Sequence, residues 1–368
     1  MQSSRQLTPA QKLSCLSHRL PIQLQSTTYT SLDQEQEQVE AHMRVCLQVL
    51  PGFEGMITTC PSEPILSEAA YDVMSNPNFG APRALQEVMT RFSIDKGDRG
   101  EFVVMLLFTL ARDRAVAQQK FAPGYRVITV NKFLKNLFWQ SDMILSALPS
   151  DAYKKSRTVS KTILADAFSD AKIHFNHFVK MHQRSTINRE YLLRLISRGA
   201  AVLCATGQAG VDGVIPFIYR ESNLRVENVG VILWQSKNDP AYTSEPDRQL
   251  FDAMDPFNLG IFDRSKDSEC IPIIRIIFAL AAKTSSVKMS CVQTMSGSST
   301  AYDIWCSGIS SDIQSPIAPE AEDVWRSLVL ASYGWQTIYD APDRRTKALR
   351  MSMNPGTAQD PAFWARWT

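Results

Sequence analysis

GVILWQSKND, residues 230–239, sets four apolar residues, Val231 to Trp234, directly against Gln235, Ser236 and Lys237. The run reads as a buried strand that ends in polar residues. Side chains alternate across a strand, so Gln235 and Lys237 point to the same face. Working outward, AAVLCATG (200–207) and DGVIPFIYR (212–220) are also short β-branched or aromatic runs bounded by Gly- or Asn-containing turns. With 230–237 they make three successive strands. Upstream, GDRGEFVVMLLFTLARDRAVAQQ (97–119) is the strongest helical segment, apolar on nearly every face from 102 to 111, and so expected to be buried. Downstream come a helical stretch around 246–259, two further strands at 271–281 and 301–309, and a helix over 319–338. Helices, three strands, helix, two strands, helix: the order is that of an α/β chain around one central mixed β-sheet with flanking helices.

The remainder divides by composition. Residues 1–30 are rich in Gln, Ser and Thr without periodicity and read as a disordered tail or linker. A helix is expected from Ser31, with Gln34 as capping-box partner, to about Leu50, where Pro51-Gly52 stops it. Residues 31–95 form a helical N-terminal region, with loops around a short helix near 84–92. VNKFLKNLFWQSDMILSAL, KTILADAFSDAKIHFNHFVKMHQ and NREYLLRLIS read as helical pieces between 130 and 198. The α/β domain then covers 96–345 with a large helical insertion at about 120–185, and 346–368 is an irregular polar tail.

The 39 basic residues nearly cancel the 37 acidic ones, leaving +2, so any nucleic-acid site must be a local basic lining rather than a basic protein. Seven scattered cysteines (15, 46, 60, 204, 270, 291 and 306) contain no C-x-x-C and read as free thiols in a reducing compartment. The apolar run 102–111 is about half of the roughly 20 residues a membrane helix needs. A soluble intracellular protein with no membrane partner is expected.

Asp212 opens the second strand, 23 residues before Gln235 at the end of the third. If the two strands pair as a hairpin, carboxylate, amide oxygen and lysine converge at one end of the sheet. Hard divalent cations prefer oxygen ligands. A bound cation lowers the pKa of water and polarises a phosphoryl oxygen, and a lysine neutralises charge developing on phosphate. The pattern suits phosphodiester cleavage.

This arrangement resembles the PD-(D/E)XK, or restriction-endonuclease-like, nuclease superfamily. The match is Asp212, Gln235 and Lys237, with Val211 at the position of the often-substituted proline. Arg99-Gly100-Glu101 and the stretch 210–216 also resemble nuclease-type domains of multicopy fungal Crinkler-like and mobile-element-associated proteins. The resemblance covers roughly 97–310 and implies a restriction-endonuclease-like core that cleaves nucleic acid, DNA in the first place, with Mg²⁺ or Mn²⁺. It implies that Asp212 binds the metal, that Gln235 supplies a weaker oxygen ligand or holds the phosphate, that the Ser236 carbonyl adds another ligand, and that Lys237 orients the attacking water. Glu101 would bind a second metal or its water. The sequence departs from the family in having Gln at 235 where an acid is usual. Glu101 also stands about a hundred residues before the first strand, and Glu190 in NREYLLRLIS is the rival helix acid. A catalytically inactive nuclease-fold module for nucleic-acid or protein binding is the alternative reading.

Plainer roles stand beside these. Asp98 and Glu101 fit a D-x-x-E helix start, and Asp212 beside Gly213 fits a turn. Gly207, Gly210 and Gly213 have the wrong spacing for a dinucleotide loop and precede a strand where a helix is required. His174, His177 and His182 are expected on or near a helix as surface or interhelical residues. Pro216 deletes one ladder donor, so its strand should be exposed on that side or bulged.

Overall fold

The structure is a computed structural model describing residues 6–330, except 25, 27–28, 54, 93, 95, 120–125, 151–161, 221–223, 264–270 and 291–299. Its first elements are α1 (Pro9–Ser17), α2 (Tyr29–Ala41), β1 (Val45–Val49), β2 (Met56–Thr59), α3 (Pro64–Met74), α4 (Ala81–Arg91) and α5 (Lys96–Ala117). Then follow β3 (Ile128–Thr129), α6 (Val130–Leu137), α7 (Ser141–Leu145), α8 (Leu164–Ala167), β4 (Lys172–Ile173), β5 (His177–Lys180) and α9 (Arg189–Arg198). The last are β6 (Ala200–Leu203), β7 (Gly213–Ile218), β8 (Val229–Lys237), α10 (Arg248–Ala253), β9 (Ile273–Ala279), β10 (Ser286–Ser290), β11 (Ala301–Ser307) and α11 (Glu322–Leu330).

The expected α/β architecture is the one the chain adopts. β7 and β8 form an antiparallel pair, and β8, β9 and β11 run parallel with β10 antiparallel at the edge. On its other side β7 is shared. Its first residues pair with β6, which leads to β5, and its last residues pair with β4, which leads to β3. Pro216 falls in the gap between β6 and β4. Tyr219 N–H donates to Asn228 on the β8 side, and stepping back by alternation turns the missing donor of Pro216 toward that gap. Pro216 is therefore buried rather than exposed, and no ladder bond is lost.

The strands separate two apolar layers. Ile232 and Trp234 of β8 face the layer of α5, whose residues Val103–Phe108 are all fully buried, while Val231 and Leu233 face Leu192, Leu195 and Ile196 of α9. Phe108 meets Trp234 edge-on at 5.7 Å and Phe278 at 5.5 Å, which fixes α5 against the middle of the sheet. Gly213 lies opposite Trp234, and a Cβ there would sit 2.4 Å from the indole. Gly213→Ala forces a fully buried ring out of place. The expected cost is about 2–3 kcal/mol in urea denaturation, at the upper end for overpacking.

Several expectations from sequence need correction. Residues 1–30 are not a tail throughout. Thr8 and Gln11 form a capping box at α1 with Pro9 in the first turn, and Leu13, Leu16, Leu20, Ile22 and Leu24 are buried. Arg19, fully buried, binds Asp113 of α5 through two bonds of 2.5 and 2.7 Å and donates to the Asn176 carbonyl. Polar composition concealed the i, i+3, i+7 spacing of those leucines. The helix expected from Ser31 to Leu50 spans only Tyr29–Ala41, and VCLQV becomes β1 because its valines suit a strand. Pro51-Gly52, with Gly52 at φ 72°, turns the β1–β2 hairpin instead of ending a helix.

The helical insertion at 120–185 is only partly helical. After the four-residue α8, KIHFNHFVK forms β4 and β5: Ile173 and Phe175 alternate with Lys172 and His174, and Phe178 and Val179 are strand formers. His177 is thus on a strand and His174 in a loop. Strand β10, SVKMS, had no apolar signature. The helix expected at 246–259 is confined to α10, and the one expected at 319–338 becomes a 3₁₀ turn at Pro319–Ala321 followed by α11; its remainder and the tail at 346–368 lie outside the described residues. Cys15, Cys46, Cys60, Cys204 and Cys306 are free, while Cys270 and Cys291 lie outside the described residues. Among the described residues no helix is long and apolar enough to cross a membrane.

Candidate functional site at the β7–β8 rim

Pairing Gly213 with Trp234 places Asp212 beside Gln235, as the hairpin reading requires. Asp212 joins three strands. Its N–H donates to Trp234 O (3.0 Å) and its carbonyl accepts from Cys204 N–H (2.8 Å). Its Oδ2 accepts the Ser236 N–H at 2.7 Å and the Ser236 hydroxyl at 2.9 Å. Since β7 begins only at Gly213, the carboxylate continues the ladder where backbone has run out. Accepting a ladder N–H holds it near the plane of the sheet, between the two layers.

Register settles what stands on each side. Ser236 aligns with Phe278 of the α5 layer, and its Oγ would lie 3.3 Å from a Cβ built on Gly100. Gly100 thus lets α5 approach the tip of β8 closely, and this approach carries Glu101 to Asp212. Gln235 aligns with Ile277 of the opposite layer. Lys237 is also on that side, its Nζ 5.8 Å from the ring of Tyr242. Gln235 and Lys237 do share a face, but it is the face away from Glu101. Gln235 is 5% exposed, and its Oε1 has no hydrogen-bond partner among the described residues.

Electrostatics tie the acids together. The pKa of Glu101 is raised to about 8, chiefly by burial and then by the charges of Asp212 and Asp98, with Lys180 opposing them. The Asp212 pKa is also raised, by dense surroundings even though part of the side chain reaches solvent. Its hydrogen bonds to Ser236 and the charges of Lys237 and Lys180 pull the other way. The buried Cys204 thiol is pushed up by burial and by both acids. Glu190, the rival helix acid, is exposed in the first turn of α9, on the opposite face of the sheet from α5. Of the two acids, Glu101 is the one brought close to Asp212.

The sequence reading missed Lys180. It ends β5, aligned with Leu203, and lines a narrow crevice with Asp98 and Glu101 walled by Pro21 and Gln23. Expecting a helix there hid it; the aromatic and β-branched pair Phe178-Val179 just before it was the available strand signal. The histidines form no metal site. His174 Nδ1 pairs with the Ile196 carbonyl, and His177 lies between Ser62 and Asn176. Among the described residues no group of three or more His, Cys, Asp or Glu is arranged to hold a metal.

A prediction follows from Glu101. Its folded pKa near 8 exceeds the unfolded value near 4.5, so ionisation favours the unfolded chain and stability is lost as pH rises between those values. Glu101→Gln removes that penalty. Allowing for partial exposure, the variant should gain on the order of 3 kcal/mol at pH 8 and nothing below about pH 4.5. Denaturant titrations of both proteins across this range check it.

Fold and site together define an α/β chain with an acid–lysine cluster at the open end of a central antiparallel pair. The chain belongs to the family described as a domain of unknown function, DUF8736, whose model matches residues 11–269. That span takes in Glu101, Lys180, Asp212 and Gln235 to Lys237 and ends before β9. No curated protein and no solved structure matches the chain.

Proposed function

We propose that the rim of β7 and β8 is a divalent-cation-dependent site that hydrolyses phosphodiester bonds of nucleic acid, with DNA as substrate. The carrying observation is that α5 and β7 bring two carboxylates, Glu101 and Asp212, close enough for Asp212 to help hold Glu101 protonated. Mg²⁺ usually takes one or two carboxylates and keeps several waters, so this donor set fits it without a third acid. Asp212 and Glu101 would hold the ion. When bound, such a cation supplies polarisation of a phosphoryl oxygen and activation of water.

The chain's own residues supply the rest. Ser236 fixes the Asp212 carboxylate through two hydrogen bonds, so the acid is oriented before substrate arrives. Lys237, on the side of Asp212 away from Glu101, positions the attacking water. Gln235 and the Ser236 carbonyl are not needed as ligands in this reading: Gln235 is buried against the α9 layer, whereas Lys237, at the very end of β8, is less buried and its charge reaches Asp212.

That last placement favours the alternative, an inactive nuclease-fold module that binds nucleic acid. One assay separates the two: labelled single- and double-stranded oligonucleotides incubated with purified protein in Mg²⁺, Mn²⁺ or EDTA. Cleavage that needs the cation supports the enzyme. Binding that is equal in EDTA, without cleavage, supports the module.

A further inference from the structure

Lys180 reaches the site from a strand that neither Asp212 nor Gln235 belongs to. Phe178, two residues earlier on β5, packs in the α5 layer, and alternation places Lys180 on the same side. There it lines the crevice with Glu101 and Asp98. Its ammonium forms no hydrogen bond and no ion pair within 4.0 Å among the described residues, so it stands near the acids without being closed onto one. Lys237 stands on the other side of Asp212, against Tyr242. The charges of both lysines reach the Asp212 carboxylate, one from each layer.

We propose that Lys180 is a second cation of this site, contacting the phosphate of a bound nucleic acid from the Glu101 side while Lys237 faces it from the other. This rests on the nuclease reading given above. Lysine suits the role because it meets a phosphate as a compact point charge, without the fixed planar geometry of arginine. A lysine serving only to neutralise Glu101 and Asp98 would affect the stability of the fold and leave nucleic-acid binding unchanged.

The test is fluorescence polarisation of a short labelled single-stranded DNA in Ca²⁺, which occupies oxygen sites, compared for the wild type, Lys180→Met, Lys180→Arg and Lys288→Met. Lys288 lies on the edge strand β10, at the far end of the sheet, and pairs with Glu245. Lys180→Met should weaken binding about tenfold and reduce the slope of log affinity against log salt by about one. Lys180→Arg should bind within about threefold of wild type, and Lys288→Met within about twofold. Unchanged affinity and slope in Lys180→Met, with its circular dichroism native, overturns the proposal. If the wild type binds but cuts nothing in Mg²⁺ or Mn²⁺, the nuclease reading fails and Lys180 is still judged by polarisation. If the wild type cuts and Lys180→Met binds normally, Lys180 fails alone. No binding by the wild type to this strand or to its duplex overturns both.

Discussion

Asp212→Asn should reduce cation-dependent cleavage of DNA by at least about 10³-fold, equivalent to ~4 kcal/mol of transition-state stabilisation. The substitution is nearly isosteric, and an amide oxygen at this position still accepts the Ser236 N–H and hydroxyl that Oδ2 now accepts. The ladder continuation therefore survives, and only the negative charge is lost. Thermal stability should stay the same or rise, because burial already raises the pKa of this carboxyl. That combination distinguishes a functional acid from a strand-end cap. A cap would tolerate the amide with activity intact; a capping role alone would also show itself only in a variant that cannot accept, such as Asp212→Ala. Cleavage rates and melting curves on the same preparations give both readouts.

Asp303→Ala should cost about 3–5 kcal/mol, the price of stranding Arg275 without its counter-ion. The two residues face each other on the parallel pair β9 and β11 and are joined by two bonds of 2.6 Å. Asp303 is fully buried and Arg275 is 3% exposed, with a further bond to the Phe251 carbonyl at 2.7 Å. A domain stable by about 5–15 kcal/mol would lose a large share of that margin. Replacing both partners, Arg275→Met with Asp303→Leu, should be close to neutral, since no charge is then left buried. Urea denaturation of the single and double variants decides it. Equal losses in both would mean that shape rather than charge is what the pair contributes.

Arg275 also shows what the sequence could and could not convey. It interrupts an otherwise apolar strand, and its partner, 28 residues away, is recognisable only once β9 and β11 are known to align. Local pattern sufficed where periodicity and burial agree. α5 is apolar on nearly every face from 102 to 111 and is buried there, and the alternation from Val231 to Lys237 gave the faces of Gln235 and Lys237 correctly. The N-terminal segment misled because Gln, Ser and Thr dominate its composition while Leu13, Leu16 and Leu20 carry its packing. KIHFNHFVK misled because neighbouring helical patterns were extended through it, and with that error Lys180 was lost. The placement of Glu101 against Asp212 depends on α5 crossing the tip of β8 at Gly100, a tertiary fact that no spacing encodes. For the same reason the opposition of Gln235 to Glu101 was not legible. Each residue's face follows from its own element, but which layer each element joins is decided by the assembled sheet.

The most direct test of the central claim, that Glu101 and Asp212 together hold a divalent cation, is calorimetric titration of Mn²⁺ at pH 7 in buffers of different ionisation enthalpy. With its pKa near 8, Glu101 is mostly protonated at that pH, so cation binding must displace its proton. The account predicts one ion per chain with release of about one proton, and loss of that release in Glu101→Gln. Absence of binding, or binding without proton release that Glu101→Gln leaves unchanged, would contradict it.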